Sequence, residues 1–492
     1  MLAVLGAVAI GLVIAGVGQG GLNPVPIGPR ANASYLNASR VCRRVFTDAA
    51  DQRRCVGLAL DPTSSTLLAG SAPSLNTAAR EGFYELIGWH GDPPHGSGWN
   101  TDGNNIVSWN YSSGLWAGSE LSHWWQSAMA LRTTVRYLER TDTTGPIYQQ
   151  VLERTYRLEN YHPLAIASNH FVNMYGDDTA WWGMAWLDAS NYELHYAHDM
   201  ADARTFLHVA QYDARYLMHM PRQCGGGVVW QLHYPTDTIT NAEYIALMAQ
   251  MYTYQMTPGP FYDPAQARVW MNSARTDLGW LEHSRLVNMQ AGTVLDHMTR
   301  SCQPQNGPLT YTEGEMADAL VQMGNALHNP SYYAQAEKFL HFETTRRLTD
   351  MVTPNGLMQE PCESTKTACV PTDKENGALA GTPVETWLDQ LSYKGIEAEA
   401  IDDYTVATHS SRYAAFLHKQ AEAIVNNAIR NPQGHPGDCR SALSCQFVFY
   451  WTWPLDPARP MLVNTATQMS ALDVLTGSLP MPASEKLSKQ PY

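Results

Sequence analysis

Residues 176–189 read GDDTAWWGMAWLDA, and the way this stretch is read decides the fold. After its two aspartates the segment offers no polar stripe at a helical repeat, so a helix formed here is enclosed by protein on every side. ITNAEYIALMAQMY at 239–252 and TQMSALDVL at 467–475 have the same character. Segments between them differ. QQVLERTYRLEN at 149–160 carries one charged face, as a surface helix does.

Extended along the chain from residue 75, the apolar period is helical rather than alternating. Helices that are apolar nearly all round are predicted at 121–139, 177–190, 240–254, 312–328, 389–406 and 464–476. Amphipathic ones are predicted at 77–90, 146–158, 198–217, 263–282, 331–346 and 411–429. Six buried helices alternating with six surface helices describe an all-α (α/α)6 toroid. The connections at 91–120, 221–239, 283–311, 347–388 and 430–463 are long, and loops of that length are usually functional or pinned. No Ser/Gly tract, Pro run or charge block interrupts 75–478, which is therefore read as one domain. Residues 20–74 read as an N-terminal extension and 479–492 as a polar tail with no hydrophobic segment for a lipid anchor.

The chain carries 32 Lys and Arg against 46 Asp and Glu, a formal charge of −14, which disfavours nucleic acid and anionic membrane surfaces as partners. Residues 1–19 form an apolar run short for a membrane span, which needs roughly 20 residues, and suited to a signal peptide or an anchor. Membrane association is expected only through this segment, and the body is expected to be secreted, in the cell wall or membrane-tethered. Acceptor triplets for glycosylation begin at Asn32, Asn37 and Asn110. Among the eight cysteines, Cys42 with Cys55, Cys362 with Cys369 and Cys439 with Cys445 are close enough to read as local disulfides. Cys224 with Cys302 would complete the set, although eight cysteines leave many connectivities open.

The polar and aromatic motifs sit at the N-terminal ends of the buried helices. Trp124, Trp125 and Gln126 open the first, Asp177 and Asp178 the second, and Asn241 the third. Tyr311 and Glu313 open the fourth, Lys394 lies early in the fifth, and Thr465 and Gln468 begin the sixth. If these helices run parallel, the motifs converge on one mouth of the ring. Asp177 and Asp178 then admit two readings. Asp is a favoured residue at a helix start, and a doubled cap explains the pair. Glycoside cleavage equally needs one ionised carboxylate and one that keeps its proton, about 5 Å apart in retaining enzymes. The helix N-terminus favours charge on one, while mutual repulsion and burial raise the pKa of the other.

Other candidates are weaker. Asp402 and Asp403, in EAEAIDDYT, read as a solvated helix end. Glu313 and Glu315 read as acids or as stabilisers of a helix start. His123, His170 and His233 lack ligand spacing, so no metal is expected, and the glycines at 225–227 precede no phosphate-binding helix. Asp177-Asp178-Thr-Ala-Trp181 also lacks the third carboxylate of a DDxxD magnesium site.

In order along the chain, WWQSAMAL at 124–131, GDDTAWWGMAWLDA at 176–189, CGGGVVW at 224–230, ITNAEYIALMAQMY, LTYTEGEMADALVQM at 309–323, YKGI at 393–396 and TQMSALDVL resemble glycoside hydrolase family 76. That family comprises endo-α-1,6-mannanases and fungal cell-wall relatives, and the likeness spans about residues 115–476. It implies an (α/α)6 fold and a retaining mechanism, with Asp177 as nucleophile and Asp178 as general acid/base. The order within that pair comes from the resemblance. Trp125, Gln126, Trp182, Asn241 and Tyr311 are expected to line sugar subsites. The expected partner is α-mannan or another mannose-containing glycan, bound by a monomer without cofactor. Departures from the family pattern, such as WQLHYPTDTITN without its lysine and Thr312-Glu313-Gly314, bear on subsite preference. A cell-wall transglycosidase acting on GPI-anchor mannose, or a mannan-binding wall protein without turnover, are the alternatives.

Overall fold

The computed structural model describes residues 75–87, 116, 124–160, 170–307, 309–345, 347–360, 363, 384–428, 445–452 and 463–481. Among them are twelve α-helices: α1 (Leu75–Leu86), α2 (Trp124–Arg140), α3 (Pro146–Glu159), α4 (Gly176–Tyr192), α5 (Met200–His219) and α6 (Thr238–Met256). The others are α7 (Pro264–His283), α8 (Thr310–Leu327), α9 (Pro330–Thr344), α10 (Val384–Thr408), α11 (Ala414–Asn427) and α12 (Thr465–Gly477). Their starts are chemically marked. Asp199, Asp237, Asp263, Asn329 and Asn464 each accept a backbone N–H from the first turn of the helix that follows, satisfying donors with no partner inside the helix.

The even-numbered helices form the inner ring. Each packs on the next, α2 on α4, α4 on α6, α6 on α8, α8 on α10 and α10 on α12, and α12 closes the circle against α2. Outside it, α5 covers α4, α7 covers α6, α9 covers α8, and α1 and α11 cover α12. The architecture is the all-α (α/α)6 toroid, and the helix that the quoted segment forms, α4, is buried at nearly every position. Close packing of inner helices depends on small residues: a Cβ added at Gly395 of α10 would fall 2.5 Å from Ser470 Cα of α12.

The opening turns of α4, α6 and α8 meet, and the first turn of α2 reaches the third turn of α10. Asp177 of α4 is electrostatically coupled to Asp237 at the start of α6 and to Tyr311 at the start of α8. Gln126 of α2 donates to Ser392 Oγ of α10. The inner helices therefore run parallel, with one shared mouth.

Below the mouth, charged residues fill the ring. Arg132 is buried between Asp188 Oδ2 at 3.2 Å and Glu399 Oε2 at 3.3 Å, with Glu315 and Asp318 just beyond. Arg136 donates to both Asp402 and Asp403, and Arg140 to Asp402 and the Leu479 carbonyl. This overturns the solvated reading of Asp402 and Asp403. Helix α10 continues to Thr408, so the doublet faces the α2 arginine stripe rather than solvent. The arginines at 132, 136 and 140 recur every four residues, which puts them on one helix face.

Three two-stranded antiparallel hairpins lie among the long connections: β1 (Arg222–Gln223) with β2 (Gly227–Val228), β3 (Val287–Asn288) with β4 (Thr293–Val294), and β5 (His297–Met298) with β6 (Pro304–Gln305). Cys224 and Cys302 form a disulfide that ties the first hairpin to the loop between β5 and β6. The other predicted cysteine pairs, the glycosylation triplets, residues 1–74 and 482–492 lie wholly or partly outside the described residues. No described helix is long and apolar enough to cross a membrane.

Candidate active site

Helix α4 starts without a side-chain cap. Backbone from the neighbouring connection takes that place: Gly176 N–H donates to the Trp230 carbonyl at 2.6 Å, and Leu232 N–H to the Met174 carbonyl at 3.1 Å. The two aspartates that follow are thereby left to face the mouth, each partly open to solvent. Asp177 Oδ1 accepts the Asp178 backbone N–H at 3.0 Å, and its Oδ2 accepts the Trp230 indole N–H at 2.9 Å. Asp178 Oδ2 accepts from the Asn173 side-chain amide. Asn173 is itself fixed, its Oδ1 accepting Tyr175 N–H at 2.8 Å and its carbonyl accepting the Tyr216 hydroxyl of α5 at 3.0 Å.

These surroundings make the two carboxyls unequal. Withdrawal from water pushes Asp177 up to about 6, opposed by the Trp230 indole and backbone N–H groups and assisted by nearby Asp296. Asp178 is pushed well above the carboxylate range by burial, by the charge of Asp177 and by Asp389, with Asn173 opposing. One negative charge at neutral pH falls on Asp177, and Asp178 keeps its proton. Glu243 of α6, fully buried with neither oxygen hydrogen-bonded among the described residues, feels the charge of both aspartates and is pushed well above the carboxylate range by burial and by Asp177.

Aromatic rings border the pair. Tyr311 lies face to face with Tyr393 at 3.8 Å between centroids. Trp230 meets Tyr175 edge-on at 5.3 Å and Tyr234 at 5.9 Å. Trp125 is part-exposed and lies over Trp181. Met174, a few residues before the pair, and Tyr234, against Trp230, expose apolar surface.

Two of the residues expected to line subsites do not reach the mouth. Trp182 has no exposed surface, packing among Trp124, Phe171 and Trp186, and belongs to the core. One helical step of about 100° separates it from Trp181 and turns it outward from the mouth. Asn241 is also fully buried: its amide donates to the Val228 and Asp237 carbonyls and to Thr236 Oγ1, and its Oδ1 accepts Val228 N–H. It staples a loop instead of facing a ligand. Gln126 is nearly buried against Ser392. Glu313 accepts Val294 N–H and the Thr312 hydroxyl, securing the β3–β4 hairpin to α8, whereas Glu315 faces Arg132. His170 stacks on Tyr212, and His123 lies outside the described residues.

The residues that sequence reading passed over are Trp230, Asn173, Asp296 and Tyr393. Trp230 ends CGGGVVW, Asn173 stands three residues before GDD, and Tyr393 heads YKGI. Their proximity to known motifs was the available signal, but nothing local shows which way they point.

The chain is similar in fold to the GH76A α-1,6-mannanase of Salegentibacter sp. HEL1_6, at 16% identity over 82% of this chain and 98% of that one, with a TM-score of 0.56. An inactive variant of that mannanase, with two adjacent aspartates replaced by asparagine, was solved with α-1,6-mannotriose. Dfg5 from Chaetomium thermophilum, solved with glucosamine, is similar at 20% identity over 74% of this chain and 83% of that one, with a TM-score of 0.55. No curated protein matches by sequence. Residues 100–490 match the family described as Glycosyl hydrolase family 76, and with its helical toroid and paired aspartates this chain belongs to that glycosidase family.

Proposed function

We propose that this glycosidase cleaves α-1,6-mannosidic linkages with retention of configuration, Asp177 acting as nucleophile and Asp178 as general acid/base. The observation that carries the reading is the pair itself: two adjacent carboxyls at the mouth, each held by a different donor, Asp177 by the Trp230 indole and Asp178 by the Asn173 amide. Asp178 donates its proton to the glycosidic oxygen as Asp177 attacks the anomeric carbon, forming a mannosyl ester. Asp178, now a carboxylate, takes a proton from water, whose oxygen displaces Asp177 and restores the starting state. Neighbouring positions on one turn suit the short separation of retaining enzymes, since an inverting pair stands about 6.5–9.5 Å apart to admit water. This chemistry needs no metal or cofactor. The Cys224–Cys302 disulfide supports export to an oxidising compartment.

A second reading, transglycosylation, is favoured by the exposed ring of Tyr234, which packs on the Trp230 indole that donates to Asp177 and would seat an acceptor sugar in place of water. Product analysis of linear α-1,6-mannan with wild type, Asp177→Asn and Asp178→Asn tests both. Shorter oligosaccharides from wild type alone support hydrolysis, and longer or rearranged chains support transfer. Binding by all three without any change of product overturns catalysis on this substrate.

A further inference from the structure

We propose that Trp230 is a positioning residue for Asp177, its indole N–H aimed by a clamped hairpin so that the carboxylate stays ionised and oriented for attack. The proposal rests on the mannosidase reading for its kinetic consequences, but the hydrogen bond stands without it. An indole N–H only donates and does not titrate near neutrality. It therefore stabilises a carboxylate without supplying the proton that would neutralise it, which is what a nucleophilic carboxylate requires and an acid/base does not.

The hairpin is clamped from several directions. Cys224 is bonded to Cys302, and its carbonyl accepts the Trp280 indole N–H of α7 at 3.0 Å. The strands sit directly on that ring: a Cβ on Gly226 would lie 2.9 Å from Trp280 Cδ1, and one on Gly227 2.3 Å from its Cη2. Gly226 and Gly227 are thus glycines because the backbone lies against an aromatic ring, while Gly225 turns the chain at a φ of 86°. Asn241 grips Val228 at both its N–H and carbonyl. Trp230 N–H donates to the Pro235 carbonyl at 3.1 Å, and its own carbonyl accepts Gly176 N–H. Tyr175 and Tyr234 then hold the indole ring edge-on from either side.

The groups facing Asp177 give this single donor unusual weight. They are Asp178 on its own helix, Asp237 and Glu243 of α6, Asp296 in the connection before α8, and Tyr311 of α8. All are acids, and the largest influences on Asp177 among the described residues include no cation. Apart from the first-turn backbone, Trp230 is what favours the charged form.

Trp230→Phe keeps an aromatic ring between the tyrosines and removes the donor. A second variant replaces Trp230 by its benzothienyl analogue, in which sulfur substitutes for N–H in the same outline, and decides the matter if the Phe variant does not fold. For either, the acid limb of kcat/KM on α-1,6-mannan is expected to move up by about one unit or more, with kcat near pH 5 reduced about tenfold and KM little changed. An activity-independent reading comes from carbon-13 carboxyl-labelled aspartate followed by NMR titration, the Asp177 signal being assigned by its loss in Asp177→Asn. An upward shift of that titration in the variants supports the proposal even if mannan is not the substrate. An Asp177 titration unchanged in the benzothienyl variant overturns it, whatever happens to turnover.

Discussion

Replacing Asn241 by alanine separates a ligand-binding residue from a structural one. In the wild-type chain this side chain makes four hydrogen bonds without touching solvent, and its four partner groups depend on it to different degrees. The Val228 carbonyl keeps the Thr236 hydroxyl as a partner after the change. The Val228 N–H loses the side-chain oxygen to which it donates, and a buried unpaired donor costs about 1–3 kcal/mol. With the small void left by the amide, a destabilisation of about 2–4 kcal/mol follows. The loss is local, because Asn241 joins the start of α6 to the hairpin carrying Trp230. Hydrogen exchange followed by mass spectrometry should show amides of 222–237 exchanging about 100-fold faster for a 3 kcal/mol effect, with helices on the far side of the ring unchanged. Turnover should fall as Asp177 loses its oriented donor, while KM for mannan changes little. A variant with wild-type exchange and melting temperature but a raised KM would refute this reasoning and return Asn241 to the subsites.

Three further outcomes are expected. The pH profile of kcat/KM should rise as pH climbs through about 6, where Asp177 ionises, and fall again when Asp178 loses its proton at a higher pH; an acid limb near pH 4 would contradict the electrostatics described. Stability should decline from pH 5 to pH 8, because burial pushes Glu313 and Glu360 to about 8 and Asp318 to about 7. Each binds its proton more tightly folded than unfolded, so the native state is favoured below the unfolded values, 4.5 for the two glutamates and 3.8 for the aspartate, and loses ground above them; a melting temperature that rises over this range would refute it. Arg132→Met should destabilise by about 3–5 kcal/mol at pH 7 by stranding Asp188 and Glu399, its two close partners. Denaturation at pH 5 should recover part of that loss as the carboxyls protonate, and equal losses at both pH values would exclude the electrostatic cause.

The sequence by itself determined the helices and their alternation. Each of the twelve predicted segments overlaps an observed helix, and the even-numbered ones are the inner ring, since helical period and a missing polar face are local properties of the chain. It also determined that Asp177 and Asp178 open a buried helix, because the apolar run begins immediately after them. Which side chains face which partners depends on the folded ring. Trp181 and Trp182 are indistinguishable as letters, and both are buried, yet the first packs on part-exposed Trp125 and the second among Trp124, Phe171 and Trp186. Asp402 and Asp403 resemble a helix end until Arg136 and Arg140, more than 260 positions away, are placed opposite them. Trp230 lies 53 residues from the carboxylate to which it donates. Periodicity specifies how a segment is buried, but a hydrogen bond depends on direction, and direction is set only when the ring closes and separate segments share one mouth.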